Sequence, residues 1–318
     1  MTQKKSVELF KKTQKFYVLH YINNMKGVKK MVSDENKQFL EQYSDGKYEK
    51  PSVTVDAVIF RIINKESDNY RKLPEKKLQV FLMKRTSPPY KDLYALAGTF
   101  IDLKTELNET LKMCVKNKVG LKNYYFEQLF TFGDKTRDPR TRVLSISYML
   151  LTGETDNLPS GKWFDVEISD KITTKNQKKS EFSIKKEVQL NLINNSEILE
   201  NSLNVNIEKI NLEEQKNITI TKTDIAFDHI KMIYYALERL KNKLEYTDII
   251  FNLLPEKFSL TELKQVYELI LREKLLDANF RRKISKLVRP TEEYITGKGF
   301  RSSRLFEHNP LWSLTNLD

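Results

Sequence analysis

Leu96-Ala97-Gly98-Thr99-Phe100-Ile101, followed after a charged connection by Asn108 through Lys118-Val119-Gly120-Leu121, is the stretch on which the fold is decided. Its first piece is short, apolar and interrupted by a glycine, the pattern of a strand running into a loop. Asn108–Lys118 has neither proline nor glycine, places Leu111, Val115 and Val119 at helical spacing and stops at Gly120, which predicts a helix with a glycine C-cap. Outward from this pair, Ser52–Ile62 and Leu78–Met83 are rich in β-branched and aromatic residues and predict neighbouring strands. Strands resume at Glu127–Phe132 and Val143–Leu151. Strands and helices in this order predict an α+β fold, a mixed sheet with helices on its faces.

At roughly 100–200 residues per domain, 318 residues predict two domains. Residues 1–50 are polar and helical in pattern, with Ser33-Asp34-Glu35 as a cap, and read as an N-terminal extension. Residues 51–223 carry the sheet. From about 154 to 222 the composition turns to Lys, Asn, Glu and Ser, with weak alternation only at Val188–Ile193; an insertion with one hairpin, poorly ordered in part, is expected. Residues 224–245 place Ile225, Ile230, Ile233, Tyr234, Leu237, Leu240 and Leu244 near helical spacing, a linker helix to a second domain at 246–318.

Composition narrows the function classes. Hydrophobic residues at 39% suffice for packed cores. The single cysteine, Cys114, has no intramolecular partner, and the amino terminus lacks the apolar run of a signal peptide, so a reducing cytoplasm is expected. No apolar run approaches the roughly 18 residues of a membrane span. The formal charge of +12 suggests a polyanionic partner, and its distribution matters more. Between Lys274 and Arg304 nine cations face only Asp277, Glu292 and Glu293. The three histidines, His20, His229 and His308, are too dispersed for a metal site or a triad, and His229 reads as a packed residue of the linker helix.

The basic cluster has an architecture. Ser259-Leu260-Thr261-Glu262 is a capping box opening an amphipathic helix, Lys274-Leu275-Leu276 makes a turn, and Asp277 caps a second helix. That helix sets Phe280, Ile284 and Leu287 against a basic face, as a major-groove recognition helix does. A hairpin follows, Glu293-Tyr294-Ile295 and Arg304-Leu305-Phe306 flanking Thr296-Gly297-Lys298-Gly299, suited to a wing along phosphates. The candidate DNA contacts are Lys274, Asn279, Arg281, Arg282, Lys283, Lys286, Lys298, Arg301 and Arg304. Taken alone, such a helix is more often a solvated face; the hairpin favours double-stranded DNA.

A second constellation is the aromatic run Tyr125–Phe132 with Gly133-Asp134, leading into Arg137-Asp138-Pro139-Arg140-Thr141-Arg142. Forked guanidiniums suit phosphate oxygens, and an aromatic ring suits a base. The candidate ligand residues are Arg85, Glu127, Phe132, Asp134, Arg137, Arg140 and Arg142. The alternative pairs these arginines with Asp134 and Asp138 on a surface loop.

The stretch from Gly98 to Gly120 resembles the Nudix box, whose helix carries an Arg-Glu-x-x-Glu-Glu run that holds divalent cations from one helical face. Aligned on Gly120, those positions hold Met113, Cys114, Asn117 and Lys118, and the upstream glutamate falls on Thr105. Starting the motif at Gly98 gives Lys104, Lys112, Met113, Lys116 and Asn117 instead, again without an acid. Glu106 and Glu109 lie nearby, where a helix N-terminus accounts for them. No catalytic residue, catalytic metal or cofactor is expected. The run Phe251–Leu263, with Asn279-Phe280-Arg281-Arg282-Lys283, Ala226-Phe227-Asp228-His229 and Glu127–Val143, resembles the Nudix-related transcriptional regulators, the NrtR type controlling NAD metabolism and the related sugar-utilisation regulators. The resemblance implies a Nudix-like α/β/α sandwich with a C-terminal winged helix-turn-helix, a homodimer on a pseudo-palindromic operator, and an effector such as ADP-ribose or another small phosphorylated metabolite. Two alternatives stay open: a Nudix pyrophosphatase acting on ADP-ribose or NAD, and a non-enzymatic sensor that binds a protein through the insertion.

Overall fold

The computed structural model describes Gln38, Phe39, Gln42, Tyr43 and residues 49–65, 74–154, 158, 160–177, 181–195, 197–210, 213–297 and 300–312, with backbone alone at 296, 297, 300 and 301. The expected cap Ser33-Asp34-Glu35 and nearly all of the N-terminal extension lie outside these residues, as does Lys298.

From Pro51 on, the chain runs through β1 (Ser52–Asn64), β2 (Lys76–Lys84), β3 (Tyr94–Ala95), β4 (Ala97–Phe100), α1 (Leu107–Cys114) with a π-helical turn (Val115–Val119), β5 (Tyr125–Phe132) and β6 (Val143–Thr152). Next come β7 (Lys162–Gln177), β8 (Glu181–Asn194), β9 (Glu197–Leu199), β10 (Ser202–Ile210), β11 (Glu213–Lys222) and α2 (His229–Lys243). A 3-10 turn (Ile249–Leu253), β12 (Lys257–Ser259), α3 (Leu260–Leu271), α4 (Asp277–Ile284), β13 (Val288–Gly297) and β14 (Phe300–His308) complete it.

The main sheet has the order β11-β10-β8-β7-β2-β1-β6-β5, with the short strands β3, β4 and β9 paired to β2, β1 and β8. It is mixed because β1 runs parallel to β6 and antiparallel to β2 and β4. Burial on both faces gives β1 its continuous apolar run. Val55, Ala57 and Ile59 meet Leu111, Val115 and Val119 of the α1 segment, while Val58, Phe60 and Ile62 join the cluster that holds Ile230, Ile233 and Leu237 of α2. Period-2 alternation thus covers each face with one helix.

The expected helix after the loop ends as foreseen, with Gly120 in the left-handed conformation at φ 86°, but its last turn is π-helical. Residues 162–222 differ more. Instead of a partly ordered insertion with one hairpin, they form five strands that continue the same hydrogen-bonded ladder from β2 outward. Val188, Leu190, Leu192, Leu203, Val205 and Ile218 point into the core, and most of the lysines, asparagines and glutamates between them lie at the surface, which gave the segment its linker-like composition; Asn201 is the exception, fully buried. The sheet curls so far that both its edges reach α2: Phe130 of β5 stacks on Tyr235 at 5.0 Å, and Lys216 of β11 sits 5.3 Å from the same ring.

At the C-terminal end, β12, β14 and β13 form a three-stranded sheet against α3 and α4. The capping box is present, with Ser259 Oγ accepting from Glu262 N–H at 3.2 Å and Glu262 Oε2 accepting from Ser259 N–H at 3.0 Å. Asp277 does not cap α4: it is the first helical residue, Leu276 occupies the N-cap position, and the Asp277 carboxylate pairs with Lys264. Among the described residues, no helix is long and apolar enough to cross a membrane.

Candidate functional site

A cleft opens where β1, β4, the loop before β6 and the start of α2 converge. Gly98 permits it: a Cβ there would lie 1.9 Å from Asp56 Oδ1. On the floor, Asp56 is buried, its Oδ2 accepting from Thr54 Oγ1 at 3.0 Å and from the Ser145 hydroxyl. His229 lies beside it, Nδ1 accepting from Leu96 N–H at 3.0 Å. Burial depresses the His229 pKa, opposed only in part by the Asp56 and Asp228 carboxylates, so the ring is neutral with its proton on Nε2.

Arginines and aromatic rings form the walls. Arg137 is buried and holds Asp228 with two bonds, Nε to Oδ2 at 3.0 Å and Nη2 to Oδ1 at 2.8 Å. Arg140 makes the same fork with Asp138 at 2.9 and 2.7 Å, which holds that carboxyl below its usual range. Nearer the mouth, the Arg85 guanidinium lies 4.9 Å from the Phe227 ring, and that of Arg140 lies 5.7 Å from Phe100. Phe227 adopts φ 56°, a left-handed conformation costly for a bulky residue. There it presents its ring to both arginines while the next residue turns Asp228 toward Arg137.

Of the eroded box positions, Lys118 lines the same cleft and the others do not. Met113 is half exposed, Asn117 is exposed, and Cys114 is buried with its thiol pushed up to about 11 by burial. Thr105 shares a hydrogen bond with Thr110 at 2.8 Å. Lys118 donates to the Gly98 carbonyl at 2.6 Å, placing an ammonium where the Nudix motif places a cation-binding carboxylate. Among the described residues no cluster of three His, Cys, Asp or Glu side chains is spaced to hold a metal, so the residues present do not fit the divalent ions of the motif. Glu109 reaches back to the Glu106 N–H at 3.4 Å and serves the start of α1.

Of the ligand residues expected from sequence, Arg85, Arg137 and Arg140 line the cleft; the other four do not. Glu127 pairs with Lys243 and Arg239, Phe132 packs edge-on against Tyr235, Asp134 pairs with Lys231 at 2.9 Å, and Arg142 is exposed. For Glu127 and Phe132 the reason is topological: β5 is the sheet edge facing α2, so its side chains meet that helix. Sequence reasoning missed Asp56 and Phe227 and gave His229 a packing role. The one signal for Phe227 and His229 was the run Ala226-Phe227-Asp228-His229, and Asp56, within β1, gave none.

The candidate DNA surface is α4 with the β13–β14 hairpin. Phe280 and Ile284 anchor α4, leaving Asn279, Arg281, Arg282 and Lys286 exposed and, among the described residues, without hydrogen-bond or ion-pair partners on their side chains. Other cations are engaged: Lys274 with Glu268 at 3.0 Å, Lys283 with Glu245 at 3.0 Å, and Arg304 with Glu292 at 2.8 Å. The Arg301 side chain lies outside the described residues.

Residues 250–307 match the family described as the NrtR DNA-binding winged helix domain. The "ADPR responsive transcriptional repressor NtrR" of Acinetobacter baylyi is 30% identical over 267 residues, covering 82% of this chain and 84% of the relative. The chain belongs to the NrtR family. Two solved structures share the fold: a MutT/nudix family protein from Enterococcus faecalis (TM-score 0.60, 20% identity, 91% of this chain and 98% of that one) and the Shewanella oneidensis NrtR complexed with a 27mer DNA (TM-score 0.53, 22% identity, 82% and 95%). As in NrtR, a Nudix-like mixed sheet with flanking helices is joined to a C-terminal winged helix.

Proposed function

We propose that this chain is a transcriptional repressor whose winged helix binds operator DNA and whose Nudix-like cleft takes ADP-ribose, without hydrolysing it. One observation carries the reading: α2 joins the two sites in a single rigid element. Its N-terminal end supplies His229 to the cleft, and its N-cap residue Asp228 holds the cleft-lining Arg137. Toward its C-terminal end Glu238 pairs with Arg272 at 2.9 Å, and just past that end Glu245 pairs with Lys283 of α4 at 3.0 Å. A ligand that shifts Arg137 or His229 therefore acts on the helix that also holds the recognition helix.

On the DNA side, Arg281 and Arg282 read base edges and neighbouring phosphates, Asn279 suits adenine, and Lys274, Lys286, Lys298, Arg301 and Arg304 contact the backbone. Two copies, arranged as a homodimer, present two such helices to a pseudo-palindromic site. In the cleft, the Arg85 and Arg140 guanidiniums suit a diphosphate, and Phe100 and Phe227 offer faces to a base. With Met113, Cys114, Asn117 and Lys118 at the box positions, no carboxylate stands where the motif gathers the divalent ions that Nudix hydrolysis needs.

The test is an electrophoretic shift on the DNA upstream of the protein's own gene cluster, with and without ADP-ribose. A shifted complex whose stability changes with ADP-ribose is expected. Absence of binding at low salt, or sustained magnesium-dependent turnover of ADP-ribose, overturns the proposal.

A further inference from the structure

Asp56 and His229 face each other across the floor of the cleft, and a phosphate does not account for them. The His229 Nε2, which carries the ring proton because Nδ1 accepts from Leu96 N–H, lies 3.9 Å from Asp56 Oδ1. That is too far for a direct hydrogen bond and close enough for one hydroxyl group to bridge. Thr54 and Ser145 both donate to Oδ2, so Oδ1, which lies against Gly98 in the space a Cβ would fill, keeps its accepting capacity, and Asp56 and His229 both line the cleft. The floor thus offers one neutral donor and one anionic acceptor, side by side.

A phosphate oxygen would be repelled by Asp56. A metal ion would need further carboxylates, and the described residues supply no such cluster. A hydroxyl suits both groups, since it accepts from Nε2–H and donates to Oδ1 at once. The guanidiniums of Arg85 and Arg140 lie toward the mouth, against the Phe227 and Phe100 rings. A ligand with a diphosphate at the arginines and a sugar beyond it would set that sugar on the floor.

We propose that Asp56 and His229 form a sugar-hydroxyl clamp that binds the terminal ribose of a nucleotide-diphosphate sugar and distinguishes it from the nucleoside diphosphate lacking that sugar. The clamp rests on the ligand reading given above and assigns these two residues as specificity determinants.

The experiment is calorimetric titration of the full chain with ADP-ribose and with ADP, which share base and diphosphate and differ in the terminal sugar. The unmodified protein is expected to bind ADP-ribose roughly tenfold more tightly than ADP or better. Asp56→Asn is close to isosteric. Either amide orientation removes the negative charge that a ligand hydroxyl donates to, and with Thr54 and Ser145 still donating to the amide oxygen the NH2 occupies the Oδ1 position, where a donor replaces the acceptor. That variant is expected to lose about tenfold or more for ADP-ribose and less than about threefold for ADP. Equal losses for both ligands, or none for either, overturn the clamp. Should the variant fail to fold, the unmodified protein still decides: affinities for the two ligands within about threefold overturn the clamp while leaving the ligand reading intact. Binding of neither ligand overturns the ligand reading itself, and the clamp with it.

Discussion

Glu245, just past the end of the helix that starts in the cleft, holds Lys283 of the recognition helix in a 3.0 Å ion pair. Glu245 is well exposed, so the pair contributes at most about 1 kcal/mol to stability. Its carboxylate nevertheless stands beside the surface that must meet phosphate. Glu245→Ala is expected to leave the melting temperature almost unchanged and to raise DNA affinity a few-fold at low salt. Fluorescence anisotropy at two salt concentrations measures this; a weaker complex would contradict it.

Arg282 is exposed, and Phe280 and Ile284 turn its side of α4 outward. Its replacement by alanine should weaken operator binding by about 1–3 kcal/mol if it reads a guanine. Replacing Lys274, already engaged by Glu268, should cost less and equally on any sequence. Titrations on operator and scrambled duplexes separate the two effects.

Arg137 and Asp228 form a buried, doubly bonded pair between the arginine loop and the start of α2. Removal of one partner strands the other charge. Asp228→Ala should therefore destabilise the fold by about 3–5 kcal/mol, and replacing both residues with apolar ones should cost much less. Urea unfolding of both variants tests the difference.

His229 is neutral when folded because burial lowers its pKa. An unfolded chain takes up a proton there below the ordinary imidazole range and the folded chain does not, so this group lowers stability as the pH falls. The loss should approach about 1.4 kcal/mol per pH unit below roughly pH 6.5, until the depressed folded pKa is reached. Melting curves between pH 7.5 and 5 in the unmodified protein and in His229→Gln should show a shallower acid slope in the variant.

Burial raises the Cys114 thiol to about 11, so little thiolate exists near neutrality. Iodoacetamide at pH 8 should label Cys114 slowly in the folded protein and quickly in urea. Mass spectrometry reads both; rapid labelling of the folded chain would contradict its buried placement.

The architecture was legible where local signals agreed with the tertiary result. Gly120 ends its helix, Ser259 and Glu262 cap each other, and Tyr294 pairs with Arg304 across the expected hairpin. The cleft was half legible. Arg85, Arg137 and Arg140 stand out by charge, but Asp56 sits inside an otherwise apolar strand, and His229 matters through a backbone hydrogen bond to Leu96, a residue remote in sequence. Glu127 and Phe132 were grouped with the arginines by proximity along the chain, and the sheet edge turned them toward α2. Residues 162–222 escaped because a strand with solvent on one face and long polar side chains has the composition of a linker.

Those strands also make the segment indispensable to the rest of the molecule. Gln79 through Leu82 of β2 pair with Leu82's partner Lys162 and its neighbours up to Asp165. An excised version lacking 162–222 would bare the amides of β2 at the centre of the former sheet and strip Tyr234 of Lys216 and Lys186, which lie over its ring. Such an edge invites chains to add to one another, so shortened versions of this protein should precipitate, whatever their capacity to grip DNA.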